Sequence, residues 1–285
     1  MCKISVVMSA YNVEKYVSEA IESVLKQSFS DFEFIIVNDG STDDTLSIIR
    51  SFKDERIKLI ENKHDFIESL NLGMKAATGK YIARMDADDI MHIDRLRIEQ
   101  AILEENPDIT VCTSWISPFG EGIPKGTINR TISGIVKSPL LHLLRNNLFF
   151  NPTSIMRSDF IRKNKLKYEY YDFAEDYKWW VEMAKAGAIF YIEPQSLLYY
   201  RISESQVTNR FKYKMTETSI RIKKEIIDFL IASNNNLFTE LSETLTVFYK
   251  LKTNNLLSEE DIIRFFHVLF TKNEIFLTTD DYRYK

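Results

Sequence analysis

The first ninety residues alternate between two hydrophobic periods, and that alternation leaves the chain very few architectures. Ile4 to Met8, an apolar run, and Phe32 to Val37, Arg56 to Glu61 and Tyr81 to Met85 read as strands. Between the first two, Val13 to Gln27 carries apolar residues at Val13, Tyr16, Val17, Ala20, Ile21, Val24 and Leu25, which is the spacing of one helix face, and Thr42 to Phe52 and Ile67 to Ala77 repeat the pattern. Strands that alternate with helices in this way build βαβ units around a mostly parallel, Rossmann-like central sheet flanked by helices. In such α/β sheets a ligand binds outside the carboxyl ends of the strands. Three of these ends are polar: Ser9-Ala10-Tyr11-Asn12, Asn38-Asp39-Gly40-Ser41-Thr42-Asp43, and Asp86-Ala87-Asp88-Asp89. All three are expected to converge on one crevice.

Beyond Asp89 the periodicity predicts a helix over Ile93 to Glu105, a strand over Thr110 to Ser114, a helix over Pro139 to Asn146 and a strand over Thr153 to Arg157. A helix over Glu175 to Ala186 and strands over Ile189 to Ile192 and Leu197 to Arg201 follow. From about Met215 the pattern is helical to the end, with breaks at Asn234-Asn235-Asn236 and Asn254-Asn255. The chain holds only 8 glycines and 6 prolines, and Ser117 to Thr127 gathers Pro118, Gly120, Gly122, Pro124 and Gly126, so that stretch is expected to be a mobile loop or hairpin.

Composition narrows the function. With 37 basic and 41 acidic side chains the 285-residue chain is mildly acidic, net −4, which argues against nucleic acid as a partner. Cys2 and Cys112 supply neither a disulfide framework nor metal-ligand spacing, and no run approaches the length that crosses a bilayer; a cytoplasmic setting is expected. A Gly-x-Gly-x-x-Gly after the first strand, a Gly-Lys-Ser/Thr phosphate loop and a Gly-x-Ser-x-Gly elbow are all missing, which disfavours dehydrogenases, P-loop kinases and α/β-hydrolases.

Asp86, Asp88 and Asp89 place three carboxylates within four residues at the end of a buried strand. Like charges there repel, and a bound cation lowers the cost. Oxygen ligands of this kind suit Mg²⁺ or Mn²⁺ shared with substrate phosphates. Asp39 at the second strand end is placed to accept from a base N–H or a ribose hydroxyl, and Ser41-x-x-Asp44 has the spacing of a capping box for the next helix. The plainer alternatives are an acidic turn and an ordinary strand-to-helix turn.

Taken in order, Ser5-Val6-Val7-Met8-Ser9-Ala10-Tyr11-Asn12, Val37-Asn38-Asp39-Gly40-Ser41-Thr42-Asp43, Asn71-x-Gly73 and Gly79-Lys80-Tyr81-Ile82-Ala83-Arg84-Met85-Asp86-Ala87-Asp88-Asp89 resemble family 2 glycosyltransferases of the GT-A fold. The resemblance covers about residues 3 to 203. It implies inverting transfer of a sugar from a nucleoside diphosphate, expected to be a UDP-sugar, to an acceptor hydroxyl of a glycan or a lipid-linked chain in polysaccharide biosynthesis. It also implies that Ser9, Tyr11 and Asp39 line the uracil and ribose pocket, that Asp86 contacts the nucleoside, and that Asp88 binds the divalent metal, Mn²⁺ or Mg²⁺. Ala174-Glu175-Asp176-Tyr177-x-Trp179 resembles the family motif whose Asp is the general base, which makes Asp176 the catalytic candidate. Asp89, Glu175 and Arg201 are secondary site candidates. The chain departs from the family pattern at Leu70, where many members carry Arg, so Lys63 or His64 would have to supply a cation near the nucleotide. It departs again at Asn151 and Ser203, where many members carry His.

The resemblance implies a catalytic domain over residues 1–205, with a nucleotide-sugar-binding half (1–115) and an acceptor-binding half (116–205); the helical pattern beyond it, outside the resemblance, predicts a C-terminal helical region over 206–285. Arg201 to Leu230 carries seven basic residues against four acidic ones beside Ile220, Ile222, Ile226, Ile227, Phe229 and Leu230. Such a helix either lies peripherally on the inner face of an anionic membrane or packs on its own domain or a dimer mate. Two rivals to the transferase reading stand: a sugar-1-phosphate nucleotidyltransferase, although Ser9-Ala10-Tyr11-Asn12 is not its Gly-rich loop, and a non-catalytic nucleotide-sugar-binding module.

Overall fold

The computed structural model describes residues 2–120, 122–203, 212–234 and 240–272. The chain divides into two compact units, one of residues 1–136, 149–170 and 188–206, the other of residues 137–148, 171–187 and 207–285.

The first unit opens with β1 (Ile4–Ala10), α1 (Val17–Leu25), β2 (Phe32–Asn38), α2 (Thr45–Ser51), β3 (Ile57–Glu61), α3 (Phe66–Ala76) and β4 (Tyr81–Asp86). These strands run parallel in the order β3-β2-β1-β4. Parallel strands covered on both faces read as unbroken apolar runs, and Ile4, Val6, Val7 and Met8, like Phe34 to Val37, are at most 1% exposed. α1 buries Val17, Ala20, Ile21 and Val24, the face its sequence spacing predicts. The strand order reverses direction between β1 and β4, and that reversal is where a crevice opens in sheets of this type.

The unit continues with β5 (Ile90–Met91), α4 (Arg95–Glu105), β6 (Val111–Gly120), β7 (Gly134–Ile135), a 3₁₀ turn (Asn151–Thr153), β8 (Ile155–Arg157), α6 (Ser158–Lys163) and β9 (Phe190–Ile202). Among the described residues the sheet extends from β4 through β8, β6 and β9 to β5, with β7 on β9. β8 is antiparallel to both its neighbours, and β6 and β9 are parallel.

The structure changes three of the sequence expectations. Ser117 to Gly120 are not loop, because β6 runs through Pro118 paired to Tyr200 and ends at Gly120. β8 reaches only Val111 and Cys112 of β6, so farther along a proline's missing N–H breaks no ladder bond to that neighbour. The two strands expected around Pro194 are one strand, β9, whose register against β6 shifts next to Trp115. The Ser41-x-x-Asp44 capping box does not form; Asp43 Oδ1 accepts the Thr45 N–H, and Ser41 Oγ accepts from Asn12 N–H instead.

The second unit holds α5 (Pro139–Arg145), α7 (Glu175–Lys185), α8 (Lys212–Asn234), α9 (Glu240–Thr253) and α10 (Glu259–Lys272). α5, α7 and α10 pack on α8, where Ile222, Ile226, Ile227 and Leu230 are at most 1% exposed. Four of the six apolar residues that the sequence offers to a membrane are therefore covered by protein, and Ile220 and Phe229 are partly buried. Lys178 bridges Glu182 and Glu225 (2.7 and 2.6 Å), Tyr171 donates to Glu225 (2.5 Å), and Lys224 and Lys252 share Glu259. Arg210, Asn235, Asn236 and residues 273–285, which entered the sequence reading, lie outside the described residues.

Candidate active site

The register of the parallel strands sets the site. Ser9 of β1 lies level with Val37 of β2 on one side and Asp86 of β4 on the other, so the three polar strand ends open on the same edge of the first unit. The loops that follow β1 and β2 are laced together: Asn12 Oδ1 accepts Thr42 N–H (2.8 Å), Thr45 Oγ1 accepts Val13 N–H (2.8 Å), and Asp43 Oδ2 accepts Glu14 N–H (3.1 Å). Asn12 sits at φ +50 to make this turn. This lacing explains why α1 and α2 begin later than their apolar periodicity predicts. It also holds Tyr11, 38% exposed, beside the end of the sheet.

Asp39 is 1% exposed. Its Oδ1 accepts the Asp65 N–H and the Ser69 hydroxyl, both at 2.7 Å, which ties β2 to the start of α3. Its Oδ2 is buried without a hydrogen bond, and the Nδ1 of His64 stands 3.3 Å away. Gly40, at φ +72, permits this approach, because a Cβ there would lie 2.9 Å from the His64 backbone nitrogen. The Ser9 hydroxyl is likewise buried with no partner. Buried polar atoms are nearly always paired, so two orphans at adjacent strand ends mark a surface built to receive something polar.

The third strand end is acidic and constrained. Arg84, 1% exposed inside β4, donates to the Val7 carbonyl (2.7 Å) and to Asp86 Oδ1 (3.4 Å). Although 39% of the Asp86 side chain is open to solvent, desolvation along the crevice pushes its carboxyl above the usual range against the pull of Arg84 and Arg95. Asp88 is pushed up to about 6 by burial and by the Asp86 charge. Burial and the Asp88 and Asp86 charges raise Asp89 well above the usual carboxylate range. Asp89 Oδ1 accepts Arg201 N–H (2.8 Å) while its Oδ2 is buried and unpaired. Arg201 also donates to the Asp88 carbonyl (2.7 Å) and to Glu19 (2.5 Å) and stacks over Tyr16 and Phe119, so it clamps the acidic turn. Three desolvated carboxylates within four residues, two of them raised further by their acidic neighbours, form a set of oxygen donors that fits a divalent cation. Among the described residues no group of three or more His, Cys, Asp or Glu is arranged to enclose an ion; a cation here would take its other ligands from phosphate and water.

Asp176 and Glu175 belong to the second unit, in the first turn of α7. Asp176 Oδ1 accepts the Tyr177 N–H (2.6 Å) and its Oδ2 accepts the Asn147 amide (3.2 Å). Two other motif residues prove to be architectural. The Asn71 side-chain amide pairs with both the N–H and the C=O of Tyr168 (2.9 and 3.0 Å), beside a cavity of about 770 Å³ that none of the strand-end residues line. Asn151 is 9% exposed and accepts from the Tyr168 hydroxyl (3.2 Å).

Arg84 and Arg95 escaped the sequence reading, although a charged residue inside the buried run Tyr81–Met85 was a signal that some partner had to be buried with it. His64 entered that reading only as a source of charge. The end of β3 carries Asn62-Lys63-His64-Asp65, and the rule that ligands gather at strand ends applied there as well.

A mostly parallel sheet with a polar, acid-lined crevice at its switch point is the arrangement in which α/β enzymes bind their ligands. Residues 5–169, over half of the chain, match the family described as Glycosyl transferase family 2. A glycosyltransferase of Haemophilus influenzae is 39% identical over 242 residues, which is 80% of this chain and 74% of that protein. The poly(ribitol-phosphate) beta-N-acetylglucosaminyltransferase TarS of Staphylococcus aureus is 28% identical over 174 residues, 58% of this chain and 29% of TarS. The crystal structure of TarS 1-349 in complex with UDP-GlcNAc superposes with a TM-score of 0.64 at 21% identity, covering 80% of this chain and 66% of that one, a likeness of fold; of a longer TarS chain, 40% is covered. The chain belongs to glycosyltransferase family 2. It is a glycosyltransferase, which sets the nucleotidyltransferase alternative aside.

Proposed function

We propose that this glycosyltransferase takes its sugar from a UDP-sugar with the help of a divalent metal and passes it, with inversion, to an acceptor hydroxyl of a glycan or lipid-linked chain. The observation that carries the donor assignment is the pair of orphaned, buried acceptors, Ser9 Oγ and Asp39 Oδ2, beside the half-exposed Tyr11 ring. A uracil stacked on Tyr11 would donate its ring N–H to Asp39, and the ribose would meet Ser9. The UDP-GlcNAc held by TarS, a neighbour of the same fold, supports the same choice of nucleotide.

Asp86 contacts the nucleoside and is itself steadied by Arg84, while Arg201 and Asp89 hold the turn that presents Asp88. Asp88 would hold Mn²⁺ or Mg²⁺, and the ion would supply charge stabilisation to the departing diphosphate. Asp176 acts on the acceptor as general base. The acceptor oxygen forms its bond to the anomeric carbon as the bond from that carbon to the diphosphate oxygen breaks; the hydroxyl proton passes to the Asp176 carboxylate, and UDP leaves with the bonding pair. One displacement inverts the anomeric centre. Asn147 and the Tyr177 N–H fix the direction in which Asp176 presents its oxygens, and a positioned base of this kind contributes about 10²–10⁴ in rate.

The metal assignment is tested by calorimetry with UDP in Mn²⁺ and in EDTA. Wild-type protein should bind UDP more tightly with Mn²⁺, and Asp88→Ala should abolish that difference; an unchanged metal dependence in the variant moves the cation elsewhere.

A further inference from the structure

The place that the first unit offers a nucleobase is filled by one of its own side chains. The His64 imidazole lies face to face with the Tyr11 ring, centroids 3.9 Å apart and planes 18° apart. Its Nδ1 is also the group that approaches Asp39 Oδ2, at 3.3 Å, and that oxygen is buried and otherwise unsatisfied. A flat ring is thus stacked on the aromatic surface, with one ring nitrogen close to, but not hydrogen-bonded to, the acceptor that a base would use. Two further features point to a ring that can leave. The His64 backbone sits at φ +36, in the left-handed region that side chains with a β-carbon rarely adopt, and 60% of the imidazole side chain is open to solvent.

We propose that His64 is a resident stand-in for the donor's base: it occupies the stacking face of Tyr11 and the free oxygen of Asp39 until the nucleoside displaces it. This rests on the reading that Tyr11 and Asp39 receive the base. Two consequences follow from ring chemistry. Donor affinity is lowered by the fraction of molecules whose pocket is self-occupied. The incoming base must also offer a flat ring to Tyr11 and a ring N–H to the unsatisfied Asp39 oxygen. Uracil offers that N–H at N3, whereas neutral cytosine presents a bare nitrogen there, opposite a carboxylate.

The test is calorimetric titration of the full chain with UDP, CDP and inorganic pyrophosphate, all with Mn²⁺, for wild type, His64→Gly and His64→Phe. His64→Gly removes the ring and suits the positive φ, and it should tighten UDP binding roughly tenfold, the value of one stacked ring with a weak polar contact. His64→Phe keeps the stack without the N–H and should gain less than His64→Gly. Pyrophosphate should bind all three equally, because the competition is at the base. UDP binding that is unchanged or weaker in His64→Gly overturns the proposal and makes His64 an ordinary wall of the site. A wild-type protein that does not bind UDP fails the donor reading itself, a different result. A readout on unaltered protein guards against variants that misfold. The His64 imidazole proton resonance, shifted by the Tyr11 ring current, should move toward its free position as UDP saturates the site, and a resonance that stays in place overturns the proposal too.

Discussion

The two oxygens of Asp39 are used differently, and the division accommodates both a structural role and the proposed one. Oδ1 is committed to Asp65 and Ser69, and Oδ2 is left to the crevice. Asp39→Asn should therefore leave the fold intact, since an amide oxygen still serves Asp65 and Ser69. UDP affinity should fall about 10–100-fold, because an N–H donor then faces the donor edge of the base and a charged hydrogen bond is lost. Titration of the variant with UDP measures this, and retention of full affinity removes Asp39 from base recognition. That Ser9, Tyr11, Asp39, Asp86 and Asp88 stand together at the strand ends was legible, because the strand periods place those ends on one edge of the sheet. The pairing of Arg84 with Asp86 and the stacking of His64 on Tyr11 were not, because each depends on contacts between strands or loops that no local pattern records.

The elements were legible wherever hydrophobic period alone decides them, as in β1, β2 and α1, and illegible where a loop borrows residues from a helix or a bulge interrupts a strand, as at Val13, Thr42 and Glu193. β2 shows how an element is tied to its neighbours. Glu33, its side chain 7% exposed, accepts from Ser5 of β1 (2.5 Å), from the Thr78 N–H and hydroxyl ahead of β4 (2.7 and 2.8 Å), and from Lys58 of β3 (2.5 Å). Burial alone would raise this carboxyl, but Lys58, Ser5 and Thr78 outweigh it and hold it at about 2. A folded-state value below the unfolded one of 4.5 gives stability that is fully present above about pH 4.5 and is lost as pH falls toward 2. The shift corresponds to about 3 kcal/mol. Urea unfolding of the wild type should show that acid limb between about pH 5 and 2, and Glu33→Gln should be less stable at pH 7 with a flatter limb. An identical pH profile for the two proteins places the acid sensitivity in other carboxylates. Gly73 belongs to the same packing: an added Cβ on α3 would stand 2.4 Å from the Val7 side chain of β1, so the helix lies directly on the sheet.

At the scale of the whole molecule, the formal charge of −4 hides a separation of tasks. The acid-lined crevice and the candidate base pocket belong to the first unit; Asp176 belongs to the second, with α8, whose apolar stripe is covered within that unit. Among the described residues no helix is long and apolar enough to cross a membrane. The sequence resolved the α/β core and the helical C-terminal region, but not that Lys137–Leu148 and Tyr171–Gly187 pack with those helices, because compactness is a property of contacts distant in sequence. On the proposed roles, donor recognition and acceptor activation are independently removable. At a UDP concentration of about 100 times Kd, binding stabilises the folded state by about 2.7 kcal/mol. For a domain of this size that is a rise of about 5–10 °C in Tm. Asp176→Asn should show the same rise with UDP and Mn²⁺ as the wild type, because the role proposed for Asp176 is toward the acceptor and not the nucleotide. Metal-dependent donor hydrolysis and transfer should nevertheless fall about 10²–10⁴-fold, the contribution of a positioned general base. Loss of the thermal shift in Asp176→Asn would assign the residue to donor binding, whereas transfer within tenfold of the wild type would place the base on another side chain.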